Sequence, residues 1–241
     1  MVVSQAVPVS DATAHRPDHQ SRVLTPSAQK RGVRIRHIAR KLRSHDPRRR
    51  AILARIRLIW RQLPPKGVLL FFDEQLIAVK AYGGWRYTTA KRLIVERRQK
   101  TRGRFYLFAI YEVNTGRRRW AFYDHKRTGE VCRFMRQIRR WYPEQPVWIA
   151  LDRDSTHPGK CGQTRRLMRQ LKLHWVTLPK GSPDDNPVEN IFSDLQLMVL
   201  NNSNDPDVKT TQQRISRHLQ KLNRRRHRRI HIPYLFDSHK N

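Results

Sequence analysis

The sequence predicts an α/β fold in which a mixed five-stranded sheet carries helices on both faces, preceded by a basic helical N-terminal segment. Three observations point there. From Val68 onward, short runs rich in aliphatic and aromatic residues recur and read as strands. Between and after those runs, apolar residues recur at helical spacing. Three acidic residues, Asp73, Asp152 and Glu189, end or open these elements in a chain with 51 Lys+Arg against 19 Asp+Glu.

Residues 1–29 are polar, hold Pro8, Pro17 and Pro26, and show no sustained period, which predicts a disordered arm. Residues 30–66 form a basic helical segment. Ile35, Ile38, Ala39 and Leu42 fall on one helical face. Asp46 as N-cap and Pro47 at the first helical position open a second helix marked by Ile52, Leu53, Ile56, Ile59 and Leu63. Pro64-Pro65-Lys66-Gly67 ends it. Two such basic helices fit a remnant of a DNA-binding module, but the packed second helix of a complete helix-turn-helix is not legible.

Residues 67–203 carry the alternating pattern. Strands are expected at Val68–Asp73, Phe105–Val113, Arg118–Tyr123, Pro146–Asp152 and Leu173–Leu178. Asn114-Thr115-Gly116 joins the second and third as a hairpin. Val131, Phe134, Met135 and Ile138 mark a helix from about Thr128 to Trp141, and Thr164 to Leu171 supplies another. Helices follow at about Pro187–Leu200 and Val208–Arg225, the second opening a basic C-terminal helix and tail over residues 204–241. The order β, β-hairpin, α, β, α, β, α specifies a mixed sheet with right-handed crossovers. Gly83 to Lys100 is an insertion between the first two strands; Trp85, Arg86 and Tyr87 follow Gly83-Gly84 in a turn. Trp120, Trp148 and Trp175 lie in strand patterns and are expected in the core.

A formal charge of +32 over 241 residues, with pI near 11.5, implies strong attraction to phosphate polyanions. A hydrophobic content of 38% with six Trp excludes a purely disordered basic tail. Cys132 and Cys161 lack any C-x-x-C or Cys/His ligand spacing, so neither a structural zinc site nor a disulfide framework is expected. The apolar runs are far shorter than the ~20 residues of a membrane-spanning helix, and the first residues lack a secretory pattern. A soluble protein of the reducing cytoplasm, with no membrane partner, is the expectation.

Asp73 and Asp152 at strand carboxyl ends would share one cleft if the first and fourth strands are adjacent and parallel. Two Asp and one Glu suit magnesium, which prefers a few carboxylates completed by water and phosphate oxygens. Other readings stand beside this one. Asp is common where strands turn. Glu189 at the third helical position after Asn186-Pro187 also fits a capping box. Glu74, Asp154, Asp184 and Asp185 are neighbouring carboxylates, and His157 lies within reach. Arg97, Arg98, Lys100, Arg102 and Arg104 form one basic cluster, and Arg224, Arg225, Arg226, Arg228 and Arg229 another. Both are candidates for nucleic-acid binding and equally for solvated surface.

The segments FFDE at 71–74, LDRDSTH at 151–157 and KGSPDDNPVENIF at 180–192 resemble the three blocks of mariner-type insertion-sequence transposases, members of the DDE superfamily with a ribonuclease-H-like fold. The hairpin GRFYLFAIYEVNTGR and the Pro-Pro entry to the first strand match as well. The similarity spans roughly Asp46 to Asn202, and the third block is the most specific. It implies that Asp73, Asp152 and Glu189 are the catalytic, metal-binding triad, that Mg2+ is the cofactor with Mn2+ as an alternative, and that His157 and Asn186-Pro187 match the family's second-block histidine and helix-opening dipeptide. It further implies a bacterial, nucleoid-associated homodimer that holds two element ends, cuts them and joins the freed 3′-hydroxyls to target DNA at TA. The chain departs from the pattern where Arg153 and Asp154 follow Asp152, in a slightly longer spacing from Asp152 to Glu189 that loop Pro158–Gln163 can absorb, and in a short basic segment where relatives carry paired helix-turn-helix domains. An element fragment, a split-frame product or a domesticated derivative would fit that last feature. A non-catalytic basic DNA-binding protein and a structure-specific ribonuclease-H-like nuclease are the alternative functions.

Overall fold

The computed structural model describes residues 46–81, 101–201, 203–224 and 229–237. The expected arm at 1–29, the helix over Ile35–Leu42 and the insertion at 83–100 lie outside the described residues.

Among the described residues, one five-stranded sheet has the order β3-β2-β1-β4-β5, with β1 Val68–Ala78, β2 Arg104–Glu112, β3 Arg118–Tyr123, β4 Val147–Leu151 and β5 Leu173–Thr177. β1, β2 and β3 are antiparallel neighbours, and β4 runs parallel to β1 and β5. The helices are α1 Arg49–Arg61, α2 Thr128–Trp141, α3 Gly162–Gln170, α4 Val188–Leu195, α5 Val208–Arg224 and α6 Pro233–Phe236. None is long and apolar enough to cross a membrane.

Strand alternation divides the core in two. Leu69 and Phe71 of β1, with Phe105, Leu107 and Ala109 of β2, face a cluster that contains Leu53 and Ile56 of α1, Val188, Ile191 and Phe192 of α4, and Ile215 and Leu219 of α5. Val68, Leu70 and Phe72 face the opposite cluster, with Val131, Phe134 and Ile138 of α2 and Met168 of α3. Helices therefore cover both faces, as expected from the sequence. Trp120, Trp148 and Trp175 are only partly buried at the margins of these clusters, so they border the core rather than fill it.

Three boundaries differ from expectation. β1 does not stop at Asp73 but runs on to Ala78, because β2 continues to pair with it from Asp73↔Ala109 to Ala78↔Arg104. Its pairing with β4 ends at Phe71↔Ala150, so Asp73 still stands beyond the carboxyl end of β4. α1 begins at Arg49 with Pro47 ahead of it. Asp46 accepts from the Arg48 N–H at 3.0 Å, the bond an N-cap side chain makes two residues on, and from the Lys180 N–H at 3.0 Å, which also pins the start of the helix to the third block. The expected helix Pro187–Leu200 is α4 followed by a π-helical turn, Gln196–Leu200, which keeps Val199 and Leu200 buried. Short α6 carried no sequence signal; the Tyr234 hydroxyl donates to the Asp185 carbonyl at 2.7 Å and fixes it against the third block.

Candidate active site

The pleat of β1 separates two adjacent carboxylates. Asp73 shares the face of Leu69 and Phe71, which α4 covers, while Glu74 shares the face of Phe72, which α2 and α3 cover. Asp73 Oδ1 accepts the Glu74 N–H at 2.8 Å and Oδ2 accepts Asn186 Nδ2 at 3.1 Å. Asn186 is buried, donates also toward the Phe72 carbonyl at 3.4 Å, and accepts the Val188 N–H at 3.2 Å. One amide thus joins the middle of β1 to the first turn of α4.

Asp152 follows β4 directly, and its side chain is 51% exposed. Its Oδ1 lies 2.7 Å from His157 Nδ1 and also accepts the Asp154 N–H at 2.9 Å. His157 is fully buried, packs against Phe72 with ring centroids 5.4 Å apart, and places Nε2 2.9 Å from Glu74 Oε1. The Lys126 ammonium sits 3.4 Å from Glu74 Oε2 and 3.1 Å from Asp154 Oδ2. Burial works against a charged imidazole, but the hydrogen bonds to Asp152 and Glu74 outweigh it and push the His157 pKa up to about 10. An imidazolium therefore bridges Asp152 and Glu74 at neutral pH.

The three expected carboxylates lie in one electrostatic field. Burial first, then the charges of Glu74, Glu189 and Asp152, push the Asp73 carboxyl from the ordinary 3.8 up to about 7 against the Glu74 N–H bond. Glu189 is also raised, by burial and then by Asp152 and Asp184. Asp152 resists burial and is held low by the hydrogen bond and charge of His157. The capping-box role for Glu189 does not form: the Asn186 N–H goes to the Pro183 carbonyl at 2.9 Å.

Among the described residues, no group of three or more His, Cys, Asp and Glu side chains converges into a ready-made metal cage. The donor set nevertheless suits a hard divalent cation: oxygen-only carboxylates, two of them raised by burial and then by neighbouring negative charge, with Asp152 open to solvent. Mg2+ keeps several waters and needs few protein ligands.

The neighbouring carboxylates have other partners. Asp185 is buried and takes a two-pronged contact from Arg49, at 2.8 and 2.5 Å. Asp154 accepts the Thr156 N–H and hydroxyl at 2.9 and 2.7 Å and pairs with Lys126. Asp184 is exposed and acts on Glu189 through charge. Of the basic candidates, Arg102 donates to the Asp205 carbonyl, Arg104 starts β2 exposed, and Arg224 ends α5 exposed. Arg97, Arg98, Lys100, Arg225, Arg226 and Arg228 lie outside the described residues. Sequence reasoning missed Lys126, which no local pattern marks, and the Asn186 bond to Asp73. It also left Glu74 and Asp73 undivided, although strand alternation carried that signal.

Residues 68–212 match the family model described as DDE superfamily endonuclease. No curated protein sequence matches. Among solved structures, the Mos1 transposase paired-end complex with left transposon end aligns with a TM-score of 0.56 at 13% identity, over 83% of this chain and 66% of that one. A pre-cleavage Mos1 transpososome gives 0.56 at 12%, over 83% and 66%. The Mos1 mariner paired end complex with Mn gives 0.54 at 13%, over 83% and 67%. At these identities the likeness carries the ribonuclease-H-like fold, and the chain spans about two thirds of the proteins it matches.

Proposed function

The chain belongs to the DDE superfamily endonucleases, and we propose that it is the catalytic part of a mariner-type transposase that cuts DNA at element ends and joins the 3′-hydroxyl to target DNA. The observation that carries this reading is the shared field of Asp73, Asp152 and Glu189 at the carboxyl edge of β4, with Asp73 pushed up to about 7. These three residues would hold Mg2+, or Mn2+, as the metal-binding triad. When bound, the metal supplies activation of the attacking oxygen and stabilisation of the leaving oxygen at phosphorus.

The chain's own residues prepare that geometry. Asn186 fixes the Asp73 carboxylate to the start of the Glu189 helix, so strand and helix cannot drift apart independently. The His157 imidazolium fixes the Asp152 carboxylate, while Glu74, itself paired with Lys126, anchors the imidazole. His157 is buried and spans two carboxylates, which suits positioning rather than proton transfer with DNA. Residues 67–203 would form the catalytic domain, with the basic segments at 30–66 and 204–241 contacting DNA, in a homodimer holding two ends in the cytoplasm.

The test compares wild type with Asp152→Asn, which keeps size and removes a ligand charge. Magnesium-dependent nicking of candidate end DNA should vanish in the variant, while DNA affinity stays equal or rises because repulsion from phosphate is reduced. Equal nicking by both proteins removes Asp152 from the triad. Binding by both without nicking by either favours the non-catalytic DNA-binding reading, and cleavage of branched DNA or RNA–DNA hybrids independent of end sequence favours the structure-specific nuclease.

A further inference from the structure

A second site, lined by cations rather than carboxylates, lies at the other end of the sheet. β1 starts at Val68 and β2 ends at Glu112, and around these ends a concavity of about 620 Å³ opens between the β2–β3 turn, the end of α2 and Arg229. Lys66, Arg117, Arg118, Arg119 and Arg229 line it. The single carboxylate in the lining, Glu112, is buried and accepts the Tyr142 hydroxyl at 2.8 Å.

The cations have separate roles. Arg118 is buried and donates to the Gly116 carbonyl at 3.0 Å, so it builds the turn. Arg119 lies over the rings of Trp141 and Tyr142, 5.4 and 5.2 Å from their centroids, and its Nε is buried without a hydrogen-bond partner. A buried N–H left unpaired is costly, and an incoming anion would satisfy it. Lys66, Arg117 and Arg229 are exposed at the mouth. Arg229 is held there: the neighbouring Ile230 N–H donates to the Tyr111 hydroxyl at 2.8 Å. Gly116, at φ +75°, lets the turn close on it, since a Cβ would stand 2.9 Å from Arg229 Cγ.

We propose that this concavity is a second DNA site, which binds the phosphodiester backbone away from the carboxylates and without metal. Guanidinium forks match phosphate oxygens in pairs. The volume suits a nucleotide-sized group. Val68 and Asp73 are five residues apart on one strand, which at about 3.3 Å per residue separates the two sites by roughly 17 Å. A phosphate held here is therefore not the scissile one. A second copy of this basic surface would be repelled. The inference rests on the reading above for DNA as the ligand and for the basic segments that supply Lys66 and Arg229; it needs neither metal nor cleavage.

The experiment measures anisotropy of a short labelled duplex in EDTA across a salt series. Arg117→Ala/Arg229→Ala should lower the slope of log affinity against log salt by about 2, close to 0.9 for each lost phosphate contact. Arg136→Ala/Arg166→Ala, which removes two exposed arginines from α2 and α3, should leave the slope nearly unchanged. Matched melting curves establish that both variants fold. Equal slope changes in the two variants, or no change in the pocket variant, would overturn the proposal. A slope change in a protein that never nicks leaves this site standing while the nuclease reading falls. Nicking with no slope change removes this site alone.

Discussion

Replacing Asp73 by Asn should stabilise the metal-free protein above neutral pH, because the native carboxylate is held in a field that disfavours its charge. Burial and the charges of Glu74, Glu189 and Asp152 raise its pKa from 3.8 to about 7. A tenfold change in proton affinity corresponds to about 1.4 kcal/mol, so the full displacement amounts to about 4 kcal/mol. The sign follows from proton linkage. Between about pH 4 and 7 the folded state keeps a proton that the unfolded chain has released, so stability falls as pH rises through this window and levels off above it. Below pH 4 both states are protonated and the effect disappears. Asn removes the charge but not all of the bonding. Its oxygen still accepts Asn186 Nδ2, while its amide faces the Glu74 N–H and forfeits the second bond, at a cost of about 1 kcal/mol. The expected net gain at pH 8 without metal is about 1–3 kcal/mol. Denaturant melts of both proteins from pH 4 to 8, with and without Mg2+, check it. Mg2+ should stabilise wild type and do little for the variant. Equal pH profiles for both proteins, or destabilisation by Asp73→Asn throughout, would refute the reasoning that burial and neighbouring charge disfavour the Asp73 carboxylate.

Other substitutions report on the supports. Asn186→Ala removes the amide that ties Asp73 to α4 and should cost about 1–3 kcal/mol in denaturant melts, with nicking that requires more Mg2+ than wild type. Glu74→Gln keeps shape but removes a charge from His157. Burial lowers the His157 pKa, and Asp152 and Glu74 reverse this to about 10, so the stability from its proton is complete below about pH 6.5 and disappears as pH rises toward 10. In the variant that loss should move to lower pH, read by NMR titration of the His157 ring. Arg49→Ala leaves the buried Asp185 carboxylate without its two-pronged partner and should cost about 1–3 kcal/mol in a thermal melt.

The strand and helix order was legible because burial on two faces writes itself into the sequence. The run Val68–Phe72 is continuously apolar since both clusters use it, and the stripe Thr211, Ile215, Leu219 and Leu222 marks the buried side of α5. The extension of β1 past Asp73 was not legible. Asp73-Glu74-Gln75 interrupts the apolar run like a turn, and only pairing with β2, some thirty residues away, keeps it extended. The acidic positions stood out against a basic background at element ends. Their supports did not, because Asn186 and His157 meet Asp73 and Glu74 across more than eighty residues of chain and Lys126 comes from a third segment. The wider turn at Gln196–Leu200 differs from an ordinary helix in hydrogen bonding, not in apolar spacing, so periodicity reads through it.

The central claim is that Asp73, Asp152 and Glu189 together hold a divalent cation. Crystals soaked in Mn2+, with anomalous differences collected near the manganese edge, test it most directly. The account predicts a peak within bonding distance of the Asp73 and Asp152 carboxylates, with Glu189 turned toward it, and loss of that peak in Asp152→Asn. A peak at Asp184 or Asp154 instead, or none at saturating Mn2+ with DNA bound, would contradict it.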